Sequence, residues 1–262
     1  MIVIRPVVNM RKGASENSEV VSQAIFAEIV TRTQESGDWS LITTPDGYSG
    51  WVKSSSLVSH SGNYETSVKI SLPVAHLYAQ KESIFGPLLT LPFGVKLKVM
   101  DESDPDWICV QLPFNECCFV RKGTVVPYRS ISREEMIRLS FDFLGSPYTW
   151  GGRSSFGFDC SGFIQMLYGQ MGIELKRDSH LQSKDPRFHE VLIENLQMGD
   201  LIFWGFGEDQ IRHVGLYIGQ GQFIHTSSRE HMPYLRISNL RDPTWDASSA
   251  SVYPYRVFKA LN

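Results

Sequence analysis

With 262 residues, 42% hydrophobic, 12% aromatic and 20% charged, the chain has enough apolar material for two or three folded domains. A net charge of −3, with no Lys/Arg run longer than a pair, argues against a nucleic-acid-binding protein. No stretch approaches the length of a membrane span, so none is expected to cross one.

The opening Met1-Ile2-Val3-Ile4-Arg5-Pro6 has an apolar segment far too short for a signal peptide and leads straight into strand-like sequence. A chain that starts at Met1 is expected in the cytoplasm. A natural start further upstream would leave secretion or the cell envelope open. The four cysteines, Cys109, Cys117, Cys118 and Cys160, form no Cys-x-x-Cys pair. A bond between the adjacent Cys117 and Cys118 would be strained. Cys109 and one of that pair read as small buried hydrophobes, and free thiols suit a reducing compartment.

From Met1 to about Val126, short apolar or alternating runs are split by Gly, Pro, Asp and Ser. Ala27–Val30, Trp39–Ile42, Gly50–Val52 and Val95–Val99 are examples, and their spacing predicts small barrels or sandwiches. The segment also repeats itself. Asp38-Trp39 returns as Asp106-Trp107, and Gly50-Trp51-Val52-Lys53 as Cys118-Phe119-Val120-Arg121, both at an offset of 68. Asn9-Met10-Arg11 and His76-Leu77-Tyr78 lie at 67. Two copies of one β module are expected, with a boundary near Ser59-His60-Ser61-Gly62-Asn63. The pattern of a Met-Arg strand, a variable loop, an acidic-Trp pair and Gly-Trp-Val resembles the bacterial SH3 domain. The second copy is degenerate where Cys118-Phe119-Val120 stands.

After the joint at Val126–Ser132, Ser132 and Glu135 make a capping box for a helix. Met136, Ile137, Phe141 and Leu144 would be its apolar face, with Gly145 and Pro147 ending it. A Gly-rich segment, Trp150-Gly151-Gly152 through Gly157, then runs into Asp159-Cys160-Ser161. Phe163, Ile164, Leu167 and Met171 follow near helical spacing, which places Cys160 in the first turn of a helix ending near Gly172. There the helix dipole and unpaired N–H groups would favour a thiolate. Strand-like runs follow at Asp200–Trp204, His213–Ile218, Gln222–His225 and Tyr253–Val257. Helices first and an antiparallel sheet after them is an α+β order.

A cysteine nucleophile needs a base, and the base needs a third group to fix its ring. Of the histidines, His60, His76, His180, His189, His213, His225 and His231, only His213 and His225 lie inside clear strands. They are twelve residues apart across Gly219-Gln220-Gly221, so a hairpin can set their imidazoles side by side. Small Gly215 leaves room beside His213. A zinc site built on Cys160, His213 and His225 lacks an evident fourth ligand. Phosphate-loop and dinucleotide signatures are absent.

Phe158-Asp159-Cys160-Ser161-Gly162-Phe163, Met198-Gly199-Asp200-Leu201-Ile202-Phe203, His213-Val214-Gly215-Leu216-Tyr217-Ile218-Gly219 and Phe223-Ile224-His225-Thr226-Ser227 together resemble the NlpC/p60 family of cell-wall cysteine peptidases. The resemblance spans roughly Ser130 to Asn262. With SH3-like modules in front it is similar to the γ-D-glutamyl-L-diamino acid endopeptidases, of dipeptidyl-peptidase VI type. It implies a papain-like catalytic domain over 129–262, behind SH3-like domains over 1–60 and 61–128.

The same resemblance implies the roles. Cys160 is the nucleophile, His213 the base and then acid, and His225 orients His213. The backbone N–H of Cys160 and the side chain of Tyr148 would hold the oxyanion. Asp159 and Ser161 are counted with the residues lining that site. In Arg177-Asp178-Ser179, Asp178 and Ser179 would contact the substrate near its γ-D-Glu. From the first module, Tyr48 and one carboxylate among Glu16, Glu19 and Glu28, with Glu19 preferred, would hold a free L-Ala amine.

The implied reaction is hydrolysis of the γ-D-Glu to diamino acid (meso-diaminopimelate or lysine) bond in peptidoglycan-derived peptides, with no metal or other cofactor. The rivals are a thiol amidase or acyltransferase on another acyl substrate, and a cell-wall binding protein with an inert catalytic half.

Overall fold

The computed structural model describes residues 1–59, 66–228, 232–246 and 253–262. His60, His231 and most of the expected boundary around Ser59–Asn63 lie outside the described residues. The chain divides into two units, one of residues 1–129 with 154–156, the other of residues 130–153 and 157–262.

In the first unit, β1 (Ile2–Val3) pairs with β7 (Leu57–Val58). Strands β2 (Val7–Arg11), β3 (Val20–Ile25), β4 (Thr31–Ser36), β5 (Trp39–Thr43) and β6 (Ser49–Lys53) form a sheet in the order β3-β2-β6-β5-β4. Alternation turns Val8, Met10, Ile42 and Val52 into one core. The run at Ala27–Val30 is a strand only in part: Ala27, with φ 63°, lies in a turn, and Ile29 makes an isolated antiparallel bridge to Ile2. The pairing passes to the exposed β4.

A second sheet, in the order β10-β9-β13-β12-β11-β8-β14, is made of β8 (Val68–Ile70), β9 (Val74–Tyr78), β10 (Leu89–Pro92), β11 (Lys96–Asp101), β12 (Trp107–Gln111), β13 (Cys117–Arg121) and β14 (Val125–Pro127). The repeat is visible in the register. Trp39 faces Lys53 across β5 and β6, and Trp107 faces Arg121 across β12 and β13. Each cation lies over its tryptophan ring, at 4.3 and 4.0 Å from the centroid. The N–H of Ser54 donates to Asp38 O, and that of Lys122 to Asp106 O. Cys118 is fully buried among Leu77, Val110 and Val120, as a small hydrophobe should be. Cys109 is only half-buried; its thiol meets that of Cys117, and burial pushes it up.

In the second unit, α1 (Arg133–Phe141) begins with the expected box: Glu135 N–H donates to Ser132 Oγ and Ser132 N–H to Glu135 Oε2. It stops sooner than expected. Phe141 and Leu144 are 41% and 40% exposed, and Phe143 turns inward instead, edge-on to Phe158 and Phe163. The backbone leaves the helix before Gly145, whose N–H donates to Leu235 O, so Phe141 and Leu144 no longer share a helical stripe.

A short ribbon, β15 (Arg153–Ser154) with β16 (Gly157–Phe158), leads into α2 (Cys160–Gln170) and then α3 (Ser179–Gln182). The sheet follows in the order β17-β22-β18-β19-β20-β21, antiparallel throughout. Its strands are β17 (Phe188–Val191), β18 (Leu201–Gly205), β19 (Ile211–Gly219), β20 (Gln222–Thr226), β21 (Leu235–Asn239) and β22 (Tyr255–Leu261). Helix α2 buries Phe163, Ile164, Leu167 and Tyr168 and packs on β19 and β20. Trp204, Phe223 and Trp245 form a separate aromatic cluster.

Gly162 is what lets α2 begin where it does. A Cβ there would stand 2.1 Å from Gly152 O, a backbone atom that cannot swing aside. Gly162→Ala is therefore expected to destabilise the chain by about 1–3 kcal/mol. Urea unfolding checks this; an unchanged midpoint would contradict it.

Candidate active site

Cys160 is the first residue of α2, half-buried, with Asp159 as N-cap. The Asp159 carboxylate is saturated. Oδ1 accepts from Gly162 N–H at 2.7 Å, Ser161 Oγ at 3.2 Å and Arg177 Nη1 at 3.0 Å. Oδ2 accepts from Gly151 N–H at 3.0 Å and Arg177 Nη2 at 2.5 Å. Arg177 is 2% exposed and also donates to Ser161 Oγ at 3.0 Å. Burial alone would lower its pKa, but Asp159 outweighs that and raises it. Arg177 thus turns inward and clamps the start of the cysteine helix.

Helix α3 is tied to the same place. Gln182, fully buried, donates from Nε2 to Ser161 O at 3.0 Å and Lys176 O at 2.9 Å. Asp178 starts α3, its carbonyl accepting from Leu181 and Gln182 N–H, and Ser179 is buried. These residues therefore reach the beginning of α2 through Gln182 and Arg177.

The Cys160 thiol is pushed up to about 12, by burial first and by the Asp159 charge second. The Val214 N–H, the Arg177 charge and the Ser161 N–H pull the other way and do not prevail. The helix start favours a thiolate, and burial of the sulfur works against it. With its thiol pushed up, Cys160 needs a base to take its proton.

Across the hairpin, His213 Nε2 and His225 Nδ1 are 3.0 Å apart, and His225 Nε2 lies 2.8 Å from Ser238 Oγ on β21. Both rings are buried, at 4% and 1% exposure. Trp245 stacks 4.9 Å from His213 and 4.5 Å from His225, Trp204 lies 5.4 Å from His213, and Phe223 4.8 Å from His225. Gly215 makes room as expected, though for Phe223 and His225: a Cβ there would lie 2.9 Å from the Phe223 ring and 3.4 Å from His225 Cβ. Ser238 and Trp245 escaped the sequence reading because β21 carries no motif and Trp245 lies in a loop. Losing the Ser238 hydrogen bond in Ser238→Ala should lower kcat about fivefold with KM nearly unchanged, on the scale of one hydrogen bond. Steady-state kinetics checks this; a change in KM alone would contradict it.

Tyr148 lies near enough to Cys160 and Asp159 for their charges to act on its phenol, and burial pushes that phenol up. Its side chain hydrogen-bonds Ser228, and its N–H donates to Pro233 O. Tyr148, Asp159, Cys160 and Ser161 therefore come together. The other described histidines do not join them: His76 bonds Thr90, His189 bonds Asn262, and His180 is an exposed residue of α3.

Tyr48 and Glu19 belong to the first unit. Tyr48 sits in the turn between β5 and β6, its N–H donating to Asp46 Oδ1 and its ring half-buried against the module's core. Glu19 is exposed just before β3. Of the alternatives, Glu16 pairs with Arg11 and Lys53, and Glu28 Oε2 accepts from Ile25 N–H.

Residues 145–253 match the NlpC/P60 family, and residues 6–59 match the bacterial SH3 domain. The chain is 33% identical over 232 residues to the γ-D-glutamyl-L-lysine dipeptidyl-peptidase of Bacillus subtilis, covering 82% of this chain and 75% of that protein. It is 26% identical over 242 residues to dipeptidyl-peptidase 6 of Lysinibacillus sphaericus, covering 86% and 87%. The crystal structure of an NlpC/P60 family protein from Bacillus cereus superposes with a TM-score of 0.81 at 26% identity, covering 93% of this chain and 95% of that one. A cysteine at a capped helix start, a histidine pair on neighbouring strands and likeness over most of a relative's length place the chain in the NlpC/P60 family of peptidases.

Proposed function

We propose that the protein is a cysteine peptidase that hydrolyses the γ-D-Glu to L-diamino acid amide of short peptidoglycan-derived peptides. The observation that carries the chemistry is the His213–His225–Ser238 chain, with Cys160 at the capped start of α2. The substrate class is supported by likeness to the Bacillus subtilis enzyme over three quarters of its length.

His225 engages His213 Nε2, so His213 Nδ1 is the nitrogen that takes the thiol proton. The Cys160 sulfur then attacks the γ-carbonyl carbon. The Cys160 N–H and the Tyr148 hydroxyl stabilise the tetrahedral oxyanion. His213 returns its proton to the leaving amine as the C–N bond breaks, leaving a thioester. Water, deprotonated by His213, attacks the thioester and releases the γ-carboxylate with the thiol re-protonated.

In this reading Asp159 and Ser161 set the position of Cys160, while Asp178 and Ser179 border the γ-D-Glu portion of the substrate. Residues 1–60 and 61–128 act as two SH3-like modules before the catalytic domain at 129–262. Tyr48 and Glu19 of the first module hold the free L-Ala amine. The free cysteines fit work in a reducing cytoplasm on turnover peptides.

The test compares L-Ala-γ-D-Glu-L-Lys, its α-linked isomer and its N-acetyl derivative. The first should be cleaved, the isomer not, and acetylation should lower kcat/KM about a hundredfold, the scale of a lost charge-assisted contact. Equal cleavage of the two isomers would sink the proposed specificity and favour a broader thiol amidase.

A further inference from the structure

Arg256 on β22 has a buried Nη1 with no hydrogen-bond partner among the described residues. Such an arrangement is costly: the guanidinium lies over the Phe258 ring at 5.2 Å, but its buried Nη1 loses a hydrogen bond to water. Burial holds this guanidinium below its ordinary range, although Asp246 is near enough to favour the charged form. Arg256 helps line a cavity of about 380 Å³, together with Arg241, Tyr217, Leu240, Ile193 and Asp246. The Tyr217 oxygen already accepts from Gly221 N–H at 3.2 Å, which leaves its O–H to donate elsewhere.

We propose that this cavity is an oxyanion site, taking a carboxylate or phosphate borne on a small, partly apolar group. Two arginines against one aspartate leave a net positive lining. The guanidinium forks suit a carboxylate or phosphate, and Leu240 and Ile193 supply an apolar wall. The site is separate from the catalytic one. Tyr217 stands four residues beyond His213 on β19, about 13 Å along the strand. Trp204, Phe223 and Trp245 stand against His213 and His225 and none of them lines this cavity, while Leu240 of the same cluster and Tyr217 packed on it do. The inference does not rest on the peptidase reading.

The test is thermal unfolding of the full chain and of Arg256→Met and Arg241→Ala, with D-alanyl-D-alanine or inorganic phosphate, at ionic strength matched by chloride. At ten times its Kd, a bound probe should raise the wild-type midpoint by about 3 °C. The rise should vanish in Arg256→Met and shrink by half or more in the exposed Arg241→Ala. Without probe, Arg256→Met should unfold no earlier than wild type, because it removes a partly buried group whose Nη1 hydrogen bond is unmade. A rise with the dipeptide alone assigns a carboxylate ligand, with phosphate alone a phosphate ligand, and with both a general oxyanion site. No rise with either probe, or an equal rise in wild type and both variants, overturns the proposal. Neither arginine belongs to the catalytic machinery, so peptide hydrolysis measured in parallel separates failure here from failure of the peptidase reading.

Discussion

Replacing Cys160 by alanine is expected to lower peptide hydrolysis by about 10⁴-fold or more, since covalent catalysis ends when the nucleophile is removed. Unfolding should change little, because the residue is small and half-buried. The sharper form of this prediction concerns the proton. The thiol is pushed up to about 12, so at neutral pH little of it ionises unaided. In His213→Ala, alkylation of Cys160 by iodoacetamide should therefore be slow and climb about tenfold per pH unit between pH 7 and 11. In wild type it should be faster and nearly flat above the imidazole range, where His213 takes the proton. Identical profiles in the two proteins would remove His213 as the base.

The same shift has a stability consequence. The folded thiol binds its proton more tightly than an unfolded cysteine, whose ordinary value is 9.0. That contribution is whole below pH 9 and is lost as pH rises through about 12. Cys160→Ala should thus unfold less readily than wild type at the alkaline end while matching it at neutral pH. Equilibrium unfolding at both values checks the sign.

Removing Arg177 should have the largest effect on stability. Arg177→Met leaves the Asp159 carboxylate, 10% exposed as a side chain, without its buried counter-ion. Breaking such a pair costs about 3–5 kcal/mol, or roughly 10 °C in Tm for a domain of this size. The double variant Asp159→Asn/Arg177→Met should lose less than the sum of the two single changes, because the charge left stranded by Arg177→Met is then gone. Activity should fall in each, because Asp159 fixes the turn that holds Cys160. Lys184–Asp209 is the control: 49% and 86% exposed, it should contribute little because solvent screens it. Calorimetry on the four proteins decides it; additive losses would mean that the two side chains do not act as a pair.

Locally encoded features were legible in the chain. The Ser132–Glu135 box, the helix start at Cys160 and the hairpin that pairs His213 with His225 are all written within a few residues. The offset of 68 announced a register that the strands reproduce at Trp39–Lys53 and Trp107–Arg121. Partners distant in sequence were not legible. Nothing around Arg177 says that its guanidinium faces Asp159 eighteen residues earlier, nor around Ser238 that it meets His225. Helical spacing put Phe141 in the core, but the helix stopped and Phe143 took that place. The raised thiol was not legible for a different reason: a dipole can be inferred from a helix start, but desolvation depends on everything packed around it.

The most direct measurement is product analysis by mass spectrometry after wild-type protein is incubated with L-Ala-γ-D-Glu-diaminopimelate. The account predicts L-Ala-D-Glu and free diaminopimelate, and neither product with Cys160→Ala. Release of L-Ala from an intact γ-D-Glu-diaminopimelate, or equal turnover by Cys160→Ala, would contradict it.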